Sequence, residues 1–98
     1  MGPDLRALAG VRLLIRYWTE YPFASDTIEG IQRWWLLPAD AVSASELAAA
    51  VQWLLDRQLI ESTVAADGRV RLRRSAGFNA GLPTALQAMA AAEAAARN

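Results

Sequence analysis

Apolar residues recur every three or four positions along the first twenty residues, and this spacing predicts an amphipathic helix. Leu8, Val11, Leu14, Ile15 and Trp18 share one side of a helical wheel, while Arg12, Arg16 and Glu20 share another. Asp4 is placed to cap this helix and Pro22 to stop it. A second helix is expected from Ser25 and Asp26 to about Leu37, with Asp26 and Glu29 at capping-box spacing and Pro38 as the stop. Ile28, Ile31 and Trp35 make its buried stripe. Trp34 falls off that stripe on the side of Thr27 and Gly30, where it either packs on another helix of the chain or meets a partner. Gly30 costs about 1 kcal/mol relative to Ala inside a helix, so a notch for something approaching closely is one reason to keep it.

The third helix is predicted from Ser43 to about Gln58, opened by the capping box of Ser43 and Glu46. Leu47, Val51, Leu54 and Leu55, with Ala44 and Ala50, form its core face. Ser45, Ala49, Gln52, Trp53 and Asp56 lie on the other side, and Trp53 sits between Glu46 and Arg57 on the wheel. Beyond this helix the period changes to two. Residues 59 to 64 read as a strand, Ala66 to Gly68 as a tight turn, and residues 69 to 73 as the returning strand, with Val70 and Leu72 alternating against Arg69, Arg71 and Arg73. Residues 75 to 83, "SAGFNAGLP", read as loop by their Gly, Asn and Pro content. Thr84 then caps an Ala-rich helix reaching about Arg97, whose larger apolar residues are Leu86 and Met89. Such a helix forms readily but buries little. It docks on a close neighbour, frays, or packs against a second copy.

Three helices followed by a hairpin, with "SASELAAAVQWLLDRQLIESTVAADGRVRLRR" joining the third helix to the wing, resemble the winged-helix superfamily. The resemblance implies a mainly α fold with a small β-hairpin, a winged-helix-like domain over residues 1–74, and a loop and C-terminal helix over 75–98 for docking or dimerisation. It also implies DNA binding through the third helix, whose outward residues in the superfamily are usually basic or amide side chains. Here only Ser45, Gln52 and Arg57 suit that task, and Asp56 and Glu46 oppose phosphates. Gln58 also stands where a Gly is common at the helix exit.

Composition narrows the function further. The 98 residues carry ten Arg against ten Asp and Glu, with no Lys, His or Cys. A neutral chain has no global attraction to a polyanion. Without Cys, His or Lys, the commonest nucleophiles, general bases and soft metal ligands are missing. No catalytic residue, metal site or cofactor is therefore assigned, and the Asp26/Glu29 and Ser43/Glu46 pairs are read as caps. The exclusive use of Arg beside abundant Ala fits a GC-rich bacterial genome. Arg6, Arg12 and Arg16 interrupt the N-terminal apolar run, so neither a membrane span nor a signal peptide is expected, and the cytoplasm is the simplest setting.

Charge is divided along the chain: residues 1 to 62 have five Arg and eight acids, and residues 63 to 98 have five Arg and two acids. The basic part lies in the wing. Arg69, Arg71, Arg73 and Arg74 could contact phosphates, with Ser45 or Gln52 near bases, or they could form a solvated edge that resists aggregation. Against this stands a protein-interaction module in which Trp53 with Arg57, and Trp34 over Gly30, meet a protein partner or a second copy in a homodimer. The neutral charge and the third helix favour the interaction module over DNA binding. The alternative for Trp53 is that it covers the hairpin or the last helix.

Overall fold

A computed structural model describes residues 5–97, and its first element is the amphipathic helix that the pattern requires. Helix α1 (Leu5–Glu20) buries Leu8, Val11, Leu14, Ile15 and Trp18. The expected cap, Asp4, lies outside the described residues. At Gly10 the helix meets α3 (Ala44–Asp56), where an added Cβ would stand 3.1 Å from the Ala50 Cβ. This close approach seats the two helices against each other.

The second segment departs from its prediction in three ways. Ser25–Asp26 is a two-residue strand, β1, and not the opening of a helix. The cap is Thr27, whose hydroxyl accepts from the Gly30 N–H at 3.1 Å, so no Asp26/Glu29 box forms. The helix α2 (Ile28–Gly30) continues as a π-helical turn, Ile31–Trp35. Ile31 is buried within it, whereas Ile28 and Trp35 are half-buried against the core margin. The chain then turns extended at Leu36, and a 3₁₀ turn over Pro38–Asp40 leads on, with the Asp40 carboxylate accepting from the Leu37 N–H at 2.8 Å.

Helix α3 opens as expected. Ser43 accepts from the Glu46 N–H, and the Glu46 carboxylate accepts from the Ser43 N–H. Leu47, Ala50, Val51 and Leu54 are buried; Leu55 is only half-buried and Ala44 is exposed. The exit is a left-handed cap: Gln58 has φ 59°, its N–H donates to the Leu55 carbonyl, and the Leu59 N–H reaches back to the Leu54 carbonyl. These two bonds are those of a Schellman motif, in which the reversal is usually made by Gly. Leu54 and Leu59 are both buried in the core beneath it.

Strands β2 (Ile60–Val64) and β3 (Val70–Arg74) pair antiparallel with Ser62 opposite Leu72, and β1 adds to the far side of β3, giving the order β1-β3-β2. Residues 65–69 join β2 to β3, closed by the Ala65 N–H donating to the Arg69 carbonyl, with Gly68 at φ 83°, a backbone state open to glycine, and the Asp67 carboxylate accepting from the Arg69 N–H. The last helix, α4 (Phe78–Arg97), starts six residues before the predicted Thr84, with Pro83 inside it. The loop-like composition was overridden by burial: Phe78 is fully inside, and Gly81 lets the helix pass close to Leu59, whose Cδ2 would stand 3.0 Å from an added Cβ. Phe78, Ala85 and Met89 join α1, α3 and the sheet in one continuous core, and Arg12 pairs with Glu93. The Ala-rich helix therefore docks on its own chain.

The molecule is mainly helical with a small antiparallel sheet. No described helix is long and apolar enough to cross a membrane.

Two predictions concern α3. Replacing Gln58 by Gly removes the left-handed penalty of a side chain, and the expected gain is about 1 kcal/mol after the unfolded-state entropy of Gly is counted. A higher urea midpoint at unchanged slope is the measurement that checks it. Glu46 is held below its ordinary pKa, first by the Ser43 N–H and next by the Arg6 side chain. A depressed folded value means stability present above the unfolded pKa and lost as pH falls through the folded one. Glu46→Gln, which keeps the cap, should flatten the acid limb of a stability–pH curve; an unchanged limb would place that proton linkage elsewhere.

Candidate functional site

Trp53 is not presented to solvent. It is 8% exposed, and the Arg57 guanidinium carbon lies 3.7 Å from the ring centroid on its outer side. The residue stands three positions after the buried Ala50, so a side chain as large as indole reaches the core from the flank of the stripe. The expected Trp53 and Arg57 pair does form, but as an internal cation–π contact. The outward face of α3 is left with Ser45, Ala48, Ala49 and Gln52. Ser45 shares a hydrogen bond with Ser43, and Gln52 donates to Asp56 at 2.7 Å.

Three of the four wing arginines are engaged within the chain. Arg71 donates to the Ser25 carbonyl at 2.7 Å and so secures β1. Arg74 donates to the Trp18 carbonyl at 3.1 Å, a group left open by the end of α1, and lies over the Phe78 ring. Arg73 pairs at 3.5 Å with Glu61, its cross-strand neighbour. Arg69, at the hairpin tip, is the exposed member of the set with no such side-chain bond among the described residues. Val70, expected to share the buried face of Leu72, is 53% exposed, and Val64 directly opposite it is 73% exposed. The tip extends past the part of the sheet that the core covers.

Trp34 remains the outward indole, 74% exposed. It lines a concavity of about 670 Å³ between the α2 segment and the hairpin tip, together with Glu29, Arg33 and Arg69. An adjoining hollow of about 400 Å³ continues past Glu29 and Arg69 to Val70. The Arg33 guanidinium carbon is 5.9 Å from the Trp34 ring centroid. Gly30 lies in the same wall, but its notch is already filled. A Cβ there would fall 2.0 Å from Asp26 Oδ1, the oxygen that accepts from the Thr27 N–H at 2.8 Å. The close approach at Gly30 is made by Asp26 of its own chain.

The neighbouring Trp35 belongs to an aromatic stack. Tyr17 lies flat on it at 4.2 Å between centroids, Trp18 meets it edge-on at 4.8 Å, and Tyr21 continues the row beside Tyr17. Past its end Phe23 is 96% exposed. The sequence pattern did not single out Phe23, because a lone aromatic after a helix stop has no periodicity to mark it; the signal available was the "YPF" run itself.

Among the described residues no group of His, Cys, Asp and Glu could hold a metal ion. No protein-family model, curated protein or solved structure matches the chain.

The Gly30 contact has a measurable consequence. Gly30→Ala should push the Asp26 carboxylate off the Thr27 N–H, and the lost hydrogen bond, about 1 kcal/mol, should cancel the gain of about 1 kcal/mol in helix propensity. In an Asp26→Ala background the same change should be stabilising. Additive effects in the double-mutant cycle, followed by urea unfolding, would show that the carboxylate is not what excludes a side chain at position 30.

Proposed function

We propose that this chain is a non-catalytic protein-interaction module on a winged-helix-like frame, with Trp34 as its anchor. One observation carries the reading: an indole 74% exposed at the mouth of a concavity, in a chain that buries or half-buries its other tryptophans. Trp and Arg dominate the energetics of protein interfaces, and a Trp set among charged rims fits the usual centre of such a surface. The order of three helices before a hairpin is compatible with the winged-helix resemblance and supports the frame. Trp53 and Arg57 act within that frame and drop out of the binding surface. A cytoplasmic setting suits a chain without cysteine.

The DNA-binding alternative loses support from the same geometry. Phosphate contacts need free cations, and Arg71, Arg73 and Arg74 already have partners in the chain. The outward face of α3 is mostly Ala with a Gln turned to its own Asp56.

The test has two arms. Fluorescence anisotropy with a random duplex at low salt should show no binding; salt-dependent binding that falls with Arg69→Ala/Arg73→Ala would instead establish the DNA reading. Protein association should weaken about 30-fold or more on Trp34→Ala, the 2 kcal/mol expected of a hot spot. Association indifferent to Trp34 would overturn the proposal.

A further inference from the structure

The surface around Trp34 has a property that a generic binding face lacks: its ridge, its gap and both signs of charge lie on one patch. The ridge is Trp34. The gap is the hollow that ends at Val70, where the hairpin tip stands clear of the core. Glu29 and Arg69 line both concavities, and Arg33 and Asp26 line the larger one beside Trp34. No ion pair within 4 Å joins Glu29 to Arg69, although they border the same hollows.

We propose, on the reading of this face as a protein-interaction surface, that its occupant is a second copy of the chain. In a two-fold dimer the same patch serves both sides, so each feature must meet its complement in the partner. Trp34 of each protomer then fills the Val70-lined gap of the other, and Glu29 of each faces Arg69 of the other. The charge set permits this because Glu29 and Arg69, opposite in sign, border the same hollows without pairing to each other. A partner of uniform charge would be repelled by one member of that pair, and a two-fold copy offers Arg69 to Glu29 and Glu29 to Arg69. The zero formal charge of the whole chain adds no long-range repulsion between copies. The α4 helix, the other candidate for self-association, is already docked on its own core through Phe78, Ala85 and Met89.

Sedimentation velocity on the full chain over a concentration series tests this. The wild type should be a dimer, and Trp34→Ala, a change at an exposed position, should weaken dimerisation about 30-fold or more while leaving the circular dichroism unchanged. Arg69→Glu alone and Glu29→Arg alone should each be monomeric, because each places like charges across the two-fold. A one-to-one mixture of these two variants should dimerise again, since every contact across the interface is then of opposite sign; a merely misfolded variant would not be rescued. A wild type that stays monomeric overturns the second copy as occupant. If that monomer still loses a different protein partner on Trp34→Ala, the interaction module itself survives. A dimer unaffected by Trp34→Ala but lost with Phe23→Ala also overturns the proposal, and moves the contact to the aromatic row.

Discussion

The fold depends on what is done with Trp18. Its ring is fully buried beneath α1, where an unpaired indole N–H would be costly. That N–H donates to the Ala24 carbonyl at 3.0 Å, which draws the chain back after the end of α1 and delivers Ser25 and Asp26 to the edge of β3. The Trp18 carbonyl, one of those that α1 leaves open at its C-terminus, accepts from Arg74 at the other end of the hairpin. The edge of the ring meets Trp35. One residue thus joins the first helix, the short strand, the π-helical turn and the wing. Arg71, holding the Ser25 carbonyl, closes the same circuit from the sheet side.

This circuit also explains the behaviour of the basic strand. In sequence, four arginines near the end of a hairpin look like a cationic surface. In the structure, Arg71 and Arg74 satisfy backbone carbonyls that a two-residue strand and a helix end would otherwise leave without donors. Arginine suits this work because its planar fork of donors stays charged and reaches a carbonyl while its stem packs on apolar neighbours. Two of the four wing arginines thus hold backbone carbonyls of the fold, Arg73 pairs with Glu61 at the surface, and Arg69 stands at the tip.

What was legible in the sequence was local. The α1 stripe, the Ser43 and Glu46 box and the Ala66–Gly68 turn each depend on residues a few positions apart, and each is present. What was not legible depends on which element covers which. Trp53 fell outside the core stripe, exposed or covered by the hairpin or last helix, because a wheel shows the direction of a side chain but not the layer waiting beside it. Val70 looked buried because alternation does not reveal where the core under a strand stops. Phe78 and Gly81 looked like loop because their role is to touch Leu59 and the core, far away in sequence. Gly30 was correctly marked as a close approach, but the approaching group is Asp26, four residues earlier. Of the surface now favoured, Trp34 was visible from its wheel position. Arg69 was not, because it comes to the same concavity only through the fold, and Glu29, five residues before Trp34, was read as a cap.

The graded burial of the four indoles gives the molecule a built-in optical division. Trp18 and Trp53 are shielded, Trp35 is stacked on Tyr17, and Trp34 stands in solvent. Emission from Trp34 is therefore the component that an aqueous quencher reaches first and that a change at the outer surface shifts. Emission from Trp18 and Trp53 responds when the interior opens. Surface events and loss of the fold are thus reported by different chromophores of the same chain, without any label.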